Sequence, residues 1–236
     1  MRAVRGRAED IEADRAVTRR LVADVRETGE GAVRAWTPHR QVAFGRRDAR
    51  SEGYEAARAV ASEHGYPPYE RDTGGRAVVY TGATVAFVRA EPVEDTREGI
   101  DARYEALLAD VERALAGLGV PVERGEPPES FCPGTHSLQA SGKIVGAAQR
   151  VQQGAALAAG ICLVRDHEAV ADVLEPVYEA LDVPFDPSTV GSVARALGDG
   201  RTGESDRSGG EVASERVCRA IERELAGPDP TVERLR

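Results

Sequence analysis

The sequence predicts a mixed α+β fold, and three observations carry that expectation. Helical periodicity is confined to a few separated segments. Several strand-like segments follow one another with no helix between them, and the alternation lacks the regular rhythm of a doubly wound sheet. In chain order, residues 8–28 form the first expected helix, with Val17, Leu21 and Val25 at four-residue steps. Strands at Ala32–Trp36 and Gln41–Phe44 flank Thr37-Pro38-His39-Arg40. A second helix is expected over 52–64, ended by Gly65 and Pro67-Pro68. Residues 69–90 hold Val78, Val79, Tyr80, Val85, Phe87 and Val88 around glycine-bearing breaks, the pattern of strands joined by tight turns.

Residues 97–118 give the clearest helix, since Ile100, Tyr104, Leu107, Leu108, Val111, Leu115 and Leu118 share one face. A Pro-, Glu- and Gly-rich loop over 123–134 precedes expected strands at 137–140, 143–151 and 155–164. Helix resumes from Asp166, with Pro176 expected to break or restart it. Residues 198–210 contain no apolar side chain and read as a polar linker. Val217, Ile221 and Leu225 then mark a last helix, followed by a charged tail. The expected organisation is a main domain over 1–197, a linker over 198–211, and a C-terminal helix and tail over 212–236.

Composition places the chain among globular proteins: 41% of its 236 residues are hydrophobic and 30% charged, enough to bury a core. A formal net charge of −9 argues against nucleic acid as a partner. No apolar run approaches a membrane span and the first residues lack a signal-peptide core, so a cytoplasmic protein without a membrane partner is expected. The acidic surplus also suits a salty, halophilic cytoplasm. Three widely spaced cysteines make neither a disulfide framework nor a zinc site. His39, His64 and His167 show no metal-ligand spacing, so no metal site is expected. Among 31 basic side chains there is one lysine, Lys143.

Three segments could carry chemistry. The first, Arg71-Asp72-Thr73-Gly74-Gly75-Arg76-Ala77-Val78, sets a glycine pair between strands. Such a pair lets backbone approach a ligand, though it is also the ordinary content of a hairpin turn. The second, Ser141-Gly142-Lys143-Ile144-Val145-Gly146-Ala147-Ala148-Gln149-Arg150, has a G-K pair but neither the hydroxyl residue nor the glycine spacing of a P-loop. It places an ammonium in an apolar run, which costs free energy unless an anion or polarised carbonyl meets it. A lysine snorkelling to the surface is the alternative. The third, Phe131-Cys132-Pro133-Gly134-Thr135-His136, puts a loop cysteine near a potential base, an arrangement suited to an acyl nucleophile. A half-buried structural cysteine fits the same spacing. Cys162, Trp36 and Phe44 read as core, and Cys218 as helix packing.

Taken in order, these segments resemble the lipoate–protein ligase and octanoyltransferase family. Its V-x-x-G element is similar to Val42-Ala43-Phe44-Gly45-Arg46, and its R-R-x-S/T-G-G-G-x-V-x-H signature to Arg71 through Tyr80. Its G-x-K-I/V-x-G-S/A-A-Q segment resembles Gly142 through Gln149, one residue shorter before the lysine. The following R-x-x-x-G-x-x-L looks like Arg150 through Leu157, and Pro187 through Val193 like the region after the family's catalytic sheet. The resemblance implies a mixed, largely antiparallel sheet flanked by helices, the catalytic fold shared with biotin protein ligases. It implies that Lys143 meets the carbonyl of a lipoyl or octanoyl group. Arg71, Thr73, Gly74, Gly75, Arg76, Tyr80, Gly142, Gly146 and Ala147 are implied as acyl- or cofactor-binding positions.

Arg76 stands where many members have a third glycine, Tyr80 replaces the usual histidine, and asparagine is absent. Two routes are implied. A ligase activates free lipoate with ATP and Mg²⁺ as an acyl-adenylate, and this reading is placed first. An octanoyltransferase takes the acyl group from a carrier thioester, some members through a cysteine such as Cys132. A non-catalytic relative that binds lipoyl groups is the third reading. Implied partners are the lipoyl domains of 2-oxoacid dehydrogenase complexes or the glycine cleavage H protein, with a separate accessory subunit or an acyl carrier protein.

Overall fold

Charged N-terminal residues open the main sheet in the computed structural model, which describes residues 1–71, 73–198 and 207–235. The first strand, β1 (Arg2–Arg5), leads into α1 (Ile11–Thr28), whose start is capped by Asp10 accepting from the Ala13 N–H. Next come β2 (Ala32–Trp36), β3 (Gln41–Phe44), a 3₁₀ turn (Asp48–Arg50) and α2 (Tyr54–Glu63). Three strands follow: β4 (Pro68–Glu70), β5 (Val78–Tyr80) and β6 (Thr84–Val93). Helix α3 (Ile100–Ala116) precedes β7 (Glu123–Arg124), β8 (Ser137–Gln139), β9 (Lys143–Gln152) and β10 (Gly154–Leu163). The chain ends with α4 (His167–Ala180), a 3₁₀ turn (Pro187–Thr189), α5 (Val193–Ala196), α6 (Arg207–Ala226) and β11 (Thr231–Arg234).

Eight strands form one sheet in the order β11-β1-β2-β6-β10-β9-β8-β7. It is parallel only where β1 meets β11 and β2, and antiparallel elsewhere. A three-stranded sheet, β4-β3-β5, packs with α2 and α4 around Val42, Phe44, Ala57, Val78, Leu174 and Tyr178. Alternation along β6 explains how the main sheet serves two cores. Val85 and Phe87 join Leu107, Leu108, Val111 and Leu115 of α3 with Ile221 and Leu225 of α6. Val88 and Ala90 instead join Leu21, Val22 and Val25 of α1. Helix α6 thus docks on the core.

The expected mixed, largely antiparallel fold holds, and two expectations about its parts do not. Pro176 neither breaks nor restarts a helix: α4 runs through it from His167 to Ala180. Proline removes the N–H that would have bonded the Asp172 carbonyl, and Asp172 is exposed, so water can satisfy that oxygen. The charged tail is a strand, β11, whose backbone pairs with β1 while Glu233 forms an ion pair with Arg2. Of the expected linker over 198–211, residues 199–206 lie outside the described residues, and α6 begins at Arg207. Among the described residues no helix is long and apolar enough to cross a membrane.

Candidate active site

Cys132 sits on the loop between β7 and β8 with φ at +43°, a left-handed conformation that a non-glycine residue keeps only where its surroundings hold it. Its N–H donates to the Tyr178 hydroxyl at 2.5 Å, and that hydroxyl donates to the Ala77 carbonyl at 3.1 Å. Burial pushes the Tyr178 phenol well above its ordinary range, so it remains a donor. On the other side, Lys143 Nζ donates to the carbonyls of Phe131 at 2.9 Å and Cys132 at 2.8 Å. Its third partner is Glu126 Oε2 at 2.5 Å, which also accepts from the Ser137 hydroxyl at 2.7 Å. Glu126 Oε1 accepts from the Gly134 N–H at 2.8 Å. Lys143 and Glu126 therefore clip both sides of the cysteine loop to β8 and β9.

The thiol points at the glycine-pair loop. Cys132 Sγ accepts from the Arg76 backbone N–H at 3.3 Å, and Arg71 Nη2 lies 3.5 Å away. The same Nη2 donates to the carbonyls of Arg76 at 2.6 Å and Gly74 at 3.1 Å, locking the guanidinium against the loop. Burial acts to lower the Arg71 pKa, but the neighbouring Cys132 and Tyr80 outweigh it and the net direction is upward. Arg76, in place of the family's third glycine, forms a 3.2 Å ion pair with the fully buried Asp48. Burial raises the Asp48 carboxyl, opposed by the Gly45 N–H and by Arg76.

Two glycines make this approach possible. A Cβ on Gly45 would stand 2.0 Å from the Gly75 carbonyl oxygen, so β3 and the loop can cross only at glycine. A Cβ on Gly75, at φ +96°, would stand 2.7 Å from Cys132 Sγ. The variant Gly75→Ala is expected to lose about 1–3 kcal/mol of stability from backbone strain and to displace the thiol. Denaturant unfolding and the rate of Cys132 alkylation measure the two effects; unchanged alkylation would mean that the thiol is not seated against this loop.

Cys132 lines a cavity of 280 Å³ with His136, Tyr104, Gly146 and Ala147. A second cavity, of 460 Å³, is walled by Val22, Trp36, Phe87, Val88 and Leu157. Arg71, Thr73, Tyr80, Ala159 and Gly160 line both, so the two spaces share a wall. Gly160 keeps that boundary thin, because a Cβ there would stand 2.3 Å from the Phe87 ring. Behind Trp36 lies the buried Arg34 guanidinium, 4.1 Å from its ring centroid and paired with Asp14 at 2.5 Å. A small chamber with a thiol beside a larger, more apolar one is suited to an acyl group whose carbonyl reacts while its chain is buried.

The fold gathers most of the residues marked in the sequence. Arg71, Gly75 and Arg76 surround Sγ, Thr73, Gly74 and Tyr80 line the cavities, and Gly146 and Ala147 form part of the floor. Gly142 stands apart, its φ of +112° serving a close crossing against Thr189 and Gly191. Lys143 is fully buried, so it does not snorkel, and it lines neither cavity; its charge goes to Glu126 and two backbone carbonyls. Sequence reasoning missed Glu126, Tyr178 and Asp48. Carboxylates are too abundant in this chain for one to stand out, and Tyr178 lies 46 residues beyond the cysteine it supports.

A family model described as the lipoyl protein ligase A/B catalytic domain matches residues 10–207. The octanoyl-GcvH:protein N-octanoyltransferase of Exiguobacterium sibiricum is 34% identical over 162 residues, covering 68% of this chain and 59% of that protein. The protein of the same name from Geobacillus kaustophilus is 30% identical over 152 residues, covering 64% and 54%. The chain thus matches little more than half the length of these relatives. Among solved structures, a lipoate-protein ligase A bound with ATP superposes with a TM-score of 0.71 at 18% identity, over 100% of this chain and 89% of the other, a likeness of fold.

Proposed function

This chain belongs to the lipoyl protein ligase A/B catalytic-domain family, and within that family we propose that it is an octanoyltransferase acting through a Cys132 acyl-enzyme. The carrying observation is the seat of the thiol: Sγ accepts one backbone N–H, faces the Arg71 guanidinium, and opens on a cavity that shares a wall with an apolar chamber. Cys132 gives up its thiol proton and the thiolate attacks the carbonyl carbon of a carrier-bound octanoyl group. The C–S bond forms, the bond from the acyl carbon to the carrier breaks, and the departing carrier atom takes up the proton that the thiol gave up. The acyl carbon then passes to the amine of an acceptor lysine, and the C–S electron pair returns to Sγ, where Arg71 faces the charge. Names of the relatives support this route, giving octanoyl-GcvH as donor and a protein as acceptor. A glycine cleavage H protein as donor and a lipoyl domain as acceptor fit that chemistry.

The ATP-dependent ligase, placed first on sequence alone, becomes the second reading. Among the described residues lining the Cys132 cavity there is no carboxylate to hold Mg²⁺ beside a nucleotide phosphate. Arg76 also occupies the third glycine position with a side chain committed to Asp48. These residues do not fit a magnesium nucleotide there. The two readings separate in one experiment: incubate the protein and an apo lipoyl domain with either an octanoyl carrier or octanoate, ATP and Mg²⁺, then weigh both proteins. Octanoyl gain on Cys132 and on the acceptor from the carrier alone is the expected result. Gain only with ATP and the free acid would replace this reading with the ligase.

A further inference from the structure

Acyl transfer to a lysine needs a group to take the proton that the attacking nitrogen sheds, and the Cys132 cavity limits the choice. Arg47 and Arg71 cannot accept one. Burial pushes the phenols of Tyr80 and Tyr104 upward, so both stay protonated. Lys143 faces away into its clip with Glu126, and no described lining residue is a carboxylate. Among the described lining residues the remaining base is the His136 imidazole, four residues after Cys132 and on the wall of the same cavity.

Its setting is built. The imidazole stacks on the Tyr104 ring with centroids 3.6 Å apart and planes 7° from parallel. Tyr104 is itself fixed, its hydroxyl accepting the Gln149 backbone N–H at 2.9 Å. The His136 carbonyl accepts the Ala147 N–H at 2.9 Å, tying the residue to β9. Neither ring nitrogen has a hydrogen-bond partner among the described residues, so both remain available to a substrate. A purely structural ring at this place would need the stack and nothing more.

We propose that His136 is the general base for the acceptor half-reaction, a role that rests on the acyl-enzyme reading and extends it. A neutral lysine amine attacks the Cys132 thioester, the C–N bond forms and the C–S bond breaks. The electron pair of that bond goes to Sγ, and the proton leaving nitrogen goes to an imidazole nitrogen and then to solvent. Loading from a small-molecule thioester, used in place of the protein carrier, places no such demand, because a thiolate departs without a proton.

The test therefore separates loading from discharge. Wild type, His136→Phe and His136→Gln are charged with an octanoyl thioester, and the Cys132 adduct is followed by mass spectrometry. An apo lipoyl domain or thiophenol is then added, the latter attacking as a thiolate that carries no proton to shed. His136→Phe keeps a ring to stack on Tyr104 and is expected to charge at the wild-type rate. It should discharge to the lysine about 100-fold or more slowly, and to thiophenolate within about twofold of wild type. Normal discharge to lysine, or equal slowing toward both nucleophiles, overturns the general base and leaves His136 a packing role. If wild-type Cys132 takes no octanoyl group, the acyl-enzyme reading falls, and this assignment falls with it.

Discussion

Cys132→Ser is expected to lose acyl transfer by about 1,000-fold or more, the scale on which removing a nucleophile from a coupled site acts. Serine keeps the size and the loop contacts but not the nucleophile, because a hydroxyl beside Arg71 has no comparable access to an anion. The control is Cys162→Ser. Cys162 is fully buried on β10 and its thiol is pushed up to about 12 by desolvation alone, so it is not a nucleophile. Its replacement should leave turnover within about twofold once any loss of folded protein is corrected for. Iodoacetamide labelling followed by intact mass tests the same ranking without a substrate: wild type and Cys162→Ser should label once at Cys132, and Cys132→Ser should not label there. Undiminished transfer by Cys132→Ser would remove the acyl-enzyme from consideration.

Lys143→Met is expected to cost about 3–5 kcal/mol of stability, as removal of one partner from a buried ion pair does. Methionine fills the volume but leaves Glu126 without its cation and the carbonyls of Phe131 and Cys132 without a donor. The loop then loses the clip that opposes its left-handed cysteine, so alkylation of Cys132 should change along with urea stability. Adding Glu126→Gln removes the uncompensated carboxylate, and the pair of substitutions should cost less than the sum of the two alone. A loss below about 1 kcal/mol in Lys143→Met would show that the clip carries little of the loop's stability.

Much of the architecture was legible because it depends on local periodicity. The segments at Ala32–Trp36 and Gln41–Phe44 appear as strands with the expected bounds, and the apolar face from Leu107 to Leu115 packs in the core. Elements whose existence depends on a distant partner were not legible. The backbone of Thr231–Arg234 is a strand because β1 pairs with it, and all four of its residues are exposed. Residues Arg2–Arg5 are too few and too charged to announce a strand before the fold assembles.

The site divides in the same way. Chemical types at short spacing, Gly74-Gly75, Cys132 and Lys143, could be marked from sequence, and all three reach one small region. The direction in which each side chain faces could not. The lysine's ammonium turns toward Glu126 rather than the cavity, and the sulfur turns toward the Arg76 N–H, choices made by loop geometry. Arg76 and Tyr80, departures when set against the family signature, are accommodated here by Asp48 and by the shared cavity wall.

Pairing of β11 with β1 has a practical side. The Thr231 N–H donates to the Met1 carbonyl at 3.1 Å, so the first and last strands lie together at one edge of the main sheet. The cysteine loop springs from the opposite edge, and the cavity it lines lies over β10 and β9, three and four strand spacings from β1, on the order of 15–20 Å at ordinary spacing. A fluorophore, surface anchor or fused reporter attached at either terminus would therefore project away from the catalytic mouth, and a pair of labels on the two termini would sit close enough to report on one another. The sheet works as a spacer, with its handles on one rim and the Cys132 cavity over β9 and β10, set inward by the width of β2 and β6.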